Sequence, residues 1–283
     1  MMTAILTELG FPVDEVIPFR SAEDDFAYDV WKVTANGETF VLKKAKGREA
    51  EIYLGFFSDP VAGVPRLMKQ FQKDGDCYLL MEYVPGRDLC RCEREGLTKA
   101  LGALIRIQER FWERRDLDGL GIPFAEALAR RQNRGNYLAD PELEKAYAQY
   151  LTMFALEART LCHDDLLPFN LIVGEDRAVI IDWEVAGILP YPTSLARLIA
   201  HGSDKADAFF YMTGDDKNFA IRYYYEHLIQ GKGIGWEDYR RAVDLCLMYE
   251  YCEWIMLGNR YPDVDRERFQ TYLDRAKTLV QTL

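Results

Sequence analysis

At 283 residues the chain is long for a single hydrophobic core and suits one large domain or two lobes. Its 49% hydrophobic and 29% charged content is that of a soluble globular enzyme, and no apolar run nears the ~20 residues that span a bilayer. A formal net charge of -11 repels nucleic acid and anionic membranes, so neither is expected as a partner, whereas a cationic small molecule is compatible.

Residues 1–10 lack the basic start and long apolar stretch of a signal peptide. Six cysteines, at 77, 90, 92, 162, 246 and 252, show no C-x-x-C spacing. They read as reduced thiols, and the protein as cytoplasmic. Residues 15–19 predict a strand. Residues 29–43 predict a hairpin, two β-prone runs about Asn36-Gly37. Residues 48–57 predict a helix with Ala50, Tyr53, Leu54 and Phe57 on its inner face, stopped by Asp59-Pro60. A second hairpin is expected from 66–72 and 77–83, and Val84-Pro85-Gly86 then breaks the pattern. Beyond residue 95 the period turns helical, with stripes over 97–113 and 141–158, the latter opened by Asp140-Pro141. A short hairpin is expected over 170–173 and 178–182. Residues 193–283 read as almost all helix, broken near Gly214, Gly231–Gly235 and Tyr261-Pro262. The fold class is therefore α+β: a small strand-rich lobe over 1–84, a Pro-Gly hinge, and a larger helical lobe over 85–283. Clefts between lobes commonly bind small ligands.

The chemistry concentrates in two short stretches. Asp165 stands five residues before Asn170, and Asp182 follows twelve residues later at the end of an apolar run. Phosphoryl transfer asks a protein for positioning and charge neutralisation rather than covalent chemistry. Asp165, expected on a loop between a helix and a short strand, fits the carboxylate that orients a hydroxyl and takes its proton. Asn170 and Asp182 supply hard oxygen ligands for magnesium on a nucleotide phosphate. His163 reads as a brace for the loop. Lys43 ends the strand 39–43; alone it is an ordinary strand-end lysine. Its place in order (strand lysine, helix acid, hinge, Asp, Asn, Asp) makes it the group that meets the α- and β-phosphates, held by Glu49 or, failing that, Glu51. Lys44 points to the opposite face.

These residues resemble the aminoglycoside phosphotransferase and choline kinase family, a set of protein-kinase-like small-molecule phosphotransferases. The loop His163-Asp164-Asp165…Asn170 is similar to the family's H-G-D-x-x-x-x-N, and Ile181-Asp182-Trp183-Glu184 to its I-D-W/F-E. The stretch 79–86 resembles its hinge, and Lys43 with Glu49 its strand lysine and helix acid. The resemblance covers about residues 15–200. It implies a bilobal protein-kinase-like fold and ATP (or GTP) with Mg²⁺. It also implies adenine hydrogen-bonded to backbone groups around Glu82, Tyr83 and Val84. The phosphate-covering loop would be residues 20–26, which hold no glycine and three acids, with Ser21 as a phosphate contact.

The departures narrow the acceptor. Asp164 replaces the family's loop glycine, Leu167 an often polar or basic residue, Phe169 a frequent glycine and Ser194 an acid. Asp164 also stands where protein kinases carry the arginine of H-R-D, and Leu167 where serine/threonine kinases carry a lysine. Only about eleven residues separate Asp182 from the helix near Ser194, short for a peptide-docking segment. The expected reaction is transfer of the γ-phosphate to a hydroxyl of a small cationic molecule, aminoglycoside-like or an amino alcohol. Glu184, Glu250, Glu253 and Trp254 are candidate contacts, because acids interleaved with aromatic faces suit an ammonium group. Equally, aromatics at helical spacing are usual core and acids usual surface. Other readings are a choline/ethanolamine, homoserine or sugar kinase, a protein or lipid-head-group kinase, and a non-catalytic nucleotide-binding pseudokinase.

Overall fold

Two tight turns organise the first lobe. In the computed structural model, which describes residues 6, 13–20, 27–261 and 265–283, strands β1 (Glu15–Arg20), β2 (Ala27–Ala35), β3 (Glu38–Lys44), β4 (Leu67–Lys73) and β5 (Asp76–Glu82) form an antiparallel sheet in the order β1-β2-β3-β5-β4. Both expected hairpins are present. Asn36-Gly37 and Asp74-Gly75 each place two successive residues at positive φ (53°, 77° and 53°, 86°), the backbone that matches the right-handed twist of paired strands. Strand β5 is buried on both faces. Tyr78 and Leu80 join Val33, Phe40, Leu42 and Phe71 on one side, while Leu79 and Met81 join the main core on the other.

Helix α1 (Glu49–Phe56) crosses between β3 and β4. Its inner face is turned one residue from the one expected. Leu54 is 49% exposed, while Ile52, Tyr53 and Phe56 are buried and Phe57 packs just beyond them. Glu49, Ile52, Tyr53 and Phe56 share a stripe at i, i+3, i+4 and i+7, so the rotation that exposes Leu54 carries a carboxylate inward.

The second lobe is helical: α2 (Arg94–Arg110), α3 (Phe124–Gly135), α4 (Pro141–Leu156), α5 (Pro192–Ala200), α6 (Gly214–Tyr224), α7 (Trp236–Arg260) and α8 (Arg266–Val280). Asp140 caps α4 by accepting from the backbone N–H groups of Glu142 and Leu143. Three corrections arise. Residues 201–213 are not helical, and Thr213 opens α6 with a capping box, so the break precedes Gly214. Helix α3 lacks a long enough apolar stripe to stand out in the sequence. Strand β7 (Arg159–Cys162), paired with β10 (Gly187–Pro190), runs directly into the loop that carries Asp165, so a strand and not a helix precedes it. Four residues are too few to show a period.

A three-stranded sheet, β6 (Arg87–Asp88), β8 (Leu171–Val173) and β9 (Ala178–Ile180), links the segment after Gly86 to the hairpin between Asn170 and Asp182. Here Gly86 is required. A Cβ on it would lie 2.4 Å from the Val173 carbonyl oxygen.

Candidate active site

Three elements converge on Lys43. The pleat of β3 turns it inward and Lys44 outward to Asp76, 2.7 Å away. Lys43 Nζ lies 2.7 Å from Glu49 Oε1 and 2.5 Å from Asp182 Oδ1. The rotated α1 thus supplies Glu49, fully buried, as the acid, and Glu51 stays exposed. Burial works against the charge of both partners. For Lys43 the two carboxylates outweigh that cost and raise its pKa, so it stays cationic.

Asp182 follows β9 at φ 67°, a left-handed backbone that aspartate tolerates better than most residues. Trp183, fully buried, fixes the turn: its indole N–H donates to the Ile180 carbonyl at 2.9 Å, and its ring lies 4.9 Å from those of Phe57 and His163. The catalytic loop is tied to this turn at two points. The Ile181 N–H donates to the Asn170 carbonyl at 2.9 Å, and His163 Nε2 donates to the Ile181 carbonyl at 2.8 Å. That second bond sets the tautomer, because a carbonyl only accepts. Ser194, the residue in the acid's place, accepts the His163 backbone N–H at 2.9 Å.

His163 is a brace, as its environment requires. Buried and held neutral, its imidazole is pushed below its usual value near 6.5 by desolvation. Unfolded chains take up a proton below that value that the folded protein refuses, so stability is complete above pH 6.5 and falls as pH drops below it. The slope approaches about 1.4 kcal/mol per pH unit. Urea unfolding between pH 7.5 and 5 should show this loss, and His163→Gln should flatten it; parallel slopes in the two proteins would contradict the assignment.

Asp164 replaces the loop glycine and adopts φ 58°, the conformation glycine would have given without strain. A buried guanidinium holds it there: Arg131 Nη2 meets Asp164 Oδ1 at 2.5 Å, while Arg131 Nε donates to the Tyr150 hydroxyl at 2.8 Å. Asn170 donates its amide N–H to the Asp165 carbonyl at 2.9 Å, which commits the amide nitrogen and leaves its oxygen available as a ligand. Among the described residues no cluster of three or more His, Cys, Asp or Glu could hold a metal unaided. One amide oxygen and one carboxylate suit a magnesium ion that takes its remaining ligands from phosphates and water.

Asp165 opens onto a cavity of about 420 Å³ between the catalytic loop, α3 and α7. The sequence reading missed the residue that dominates it. Arg197, on α5, donates from Nε and Nη2 to Asp165 Oδ1 (3.1 and 2.7 Å) and from Nη1 to Glu250 (2.7 Å) and Glu253 (3.0 Å). Its only sequence signal was a lone arginine one turn past Ser194. Burial opposes ionisation of Glu250, but Arg197 and His201 outweigh it and hold the carboxyl well below its usual range. Glu253 also pairs with Arg134 and accepts from the Tyr249 hydroxyl at 2.8 Å. Of the other candidates, Glu184 lies under the turn at Gly47 and is not among the lining side chains. Trp254 faces a different cavity, stacked on Tyr272 at 5.5 Å. At the hinge Glu82 pairs with Arg177, and the Tyr83 ring receives Lys32 at 5.1 Å. Val84 is half-buried beside them. Ser21 and most of its loop lie outside the described residues.

A sheet lysine paired with a helix glutamate, an Asp-Asn loop and an aspartate that meets the lysine match the pattern of a protein-kinase-like small-molecule phosphotransferase. Residues 19–227 match the family model of the APH phosphotransferase enzyme family, and the chain belongs to that family. Protein LicA of Haemophilus influenzae is 26% identical over 127 residues, 43% of this chain and 48% of that protein, so the chain matches about half the length of this curated relative. The apo structure of a thermostable mutant of aminoglycoside phosphotransferase APH(4)-Ia superposes with a TM-score of 0.58 at 14% identity, covering 100% of this chain and 99% of that one. A choline/ethanolamine kinase family protein from Mesorhizobium loti gives 0.59 at 17%, covering 98% and 91%. These two likenesses establish the bilobal fold. APH(4)-Ia has also been solved in a ternary complex with ADP and hygromycin B. No helix of the described residues is long and apolar enough to cross a membrane.

Proposed function

We propose that the protein transfers the γ-phosphoryl group of ATP or GTP to a hydroxyl of a small acceptor seated in the 420 Å³ cavity. The carrying observation is that Asp165 opens on that cavity while its loop is bonded, through Asn170 and Ile181, to the turn bearing Asp182, whose carboxylate meets Lys43 of β3. Asp165 orients the hydroxyl and takes its proton. Lys43, steadied by Glu49, meets the phosphates, and the backbone at 82–84 receives the base. Asn170 and Asp182 would hold Mg²⁺, which neutralises phosphate charge. The lobes divide near Val84.

An amine-bearing acceptor, aminoglycoside-like or an amino alcohol, is supported by the four carboxylates that line the cavity: Asp164, Asp165, Glu250 and Glu253. A second reading rests on the four arginines beside them, Arg130, Arg134, Arg197 and Arg260. This balance suits an amphoteric or neutral acceptor of the homoserine or sugar type. An ADP-release screen over kanamycin, choline, ethanolamine, homoserine and thio-sugars separates the two. We expect one class to raise ADP release above the acceptor-free rate. Mg-ATP binding with no stimulation by any acceptor would instead favour a non-catalytic module.

A further inference from the structure

The chain carries a net charge of -11, yet among the described residues three of the four Lys and Arg side chains lining one cavity outside the acceptor site have no carboxylate partner. This cavity, about 570 Å³, shares only Arg197 with the acceptor cavity. Its apolar wall is aromatic. Phe169, the catalytic-loop residue in a frequent glycine's place, lies 5.8 Å from Phe210, which lies 4.8 Å from Phe209. Phe169 and Phe209 are 40% and 60% exposed, and Trp254 lies nearly parallel to Tyr272 across the cavity.

Three cationic side chains besides Arg197 line the same space. The Arg268 guanidinium sits 4.7 Å from the Trp254 ring. Arg275 sits 5.6 Å from the Tyr272 ring and donates to the Ala200 carbonyl at 3.4 Å, and Lys205 is the third. Among the described residues none of these three head groups is paired with a carboxylate. The lining holds two acids, Asp265 and Glu267. Asp265 spends Oδ1 on the backbone N–H groups of Glu267 and Arg268 at the start of α8. Nearby, Lys217 is pushed down to about 8, first by burial and then by Arg275, with Asp204 opposing the shift.

One unpaired surface cation is ordinary. Three around an aromatic-walled cavity, in a protein rich in acids, make a different arrangement. A guanidinium beside a ring can still offer N–H groups to an anion, and exposed phenyl faces await an apolar body. We propose that this cavity is a second ligand site, for an organic molecule with a flat apolar body and an anionic group. That chemistry has two possible sources, the far end of the phosphate acceptor or a separate effector.

The probe is 8-anilinonaphthalene-1-sulfonate, titrated into the full chain and read by energy transfer from tryptophan. One saturable site is expected. In Lys205→Gln/Arg268→Gln its Kd should rise by about tenfold or more with the thermal midpoint unchanged, and the uncharged N-phenyl-1-naphthylamine should bind weaker than the sulfonate by a similar factor. Equal affinity for the two dyes, or an unaltered Kd in the double variant, overturns the proposal. Asp165→Ala should bind the dye as the unmodified chain does, so this result stands or falls apart from the phosphotransfer reading. Competition against the acceptor returned by the ADP-release screen assigns the site to the acceptor's far end; a non-competitive effect on turnover assigns it to an effector.

Discussion

Asp165→Ala leaves a protein that binds nucleotide and turns over little of it. Acceptor-dependent ADP release is expected to fall by about 10²–10⁴-fold, the usual contribution of a positioned proton acceptor. Nucleotide affinity should change little, because Lys43, Glu49 and the hinge contact none of the Asp165 carboxylate atoms. The fold should survive as well. Arg197 keeps two of its three carboxylates, Glu250 and Glu253. The measurement pairs a coupled ADP assay with nucleotide titration. Turnover within a few-fold of the unmodified protein would remove Asp165 from its role.

The second large effect is on stability as well as turnover. Lys43→Met strands Glu49, which is fully buried and, among the described residues, has Lys43 as its one side-chain hydrogen-bond partner and none at Oε2. Removing one member of a buried ion pair costs about 3–5 kcal/mol, because the other charge stays desolvated. Urea unfolding should show that loss, and ADP release should disappear with it. In Lys43→Met/Glu49→Gln the stranded charge is gone, so stability should largely return while activity does not. Glu51→Gln should alter neither, since that carboxylate faces solvent. A single variant as stable as the unmodified chain would mean that the pair is not desolvated as described.

Much of the site was legible because its chemistry is local in sequence. The spacing of Asp165, Asn170 and Asp182 fixed their loop and turn, and Asn36-Gly37 fixed the hairpin that presents Lys43. The choice between Glu49 and Glu51 was not legible, since it depends on a rotation of α1 set by Ile52 and Phe56 packing inward. Arg197 was missed for a related reason. Its partners lie 32, 53 and 56 residues away, and no local pattern announces such a contact. The helix at 124–135 escaped because it is short and carries few large apolar residues, and the strand pair β7–β10 because four residues are too few to show a period. Trp254, read as an acceptor contact because aromatics interleave with acids there, faces another cavity, packed on Tyr272 of α8.

The junction at Arg197 also shapes how such a protein can diverge. One guanidinium joins Asp165, the proposed proton acceptor, to Glu250 and Glu253 on the wall of the proposed acceptor cavity. A replacement at Glu250 or Glu253 that admits a new acceptor also releases the arm that steadies Asp165. Selectivity and turnover are therefore inherited together. Lineages that change acceptor should do so through compensated pairs of substitutions at these four positions, with single intermediates at a disadvantage.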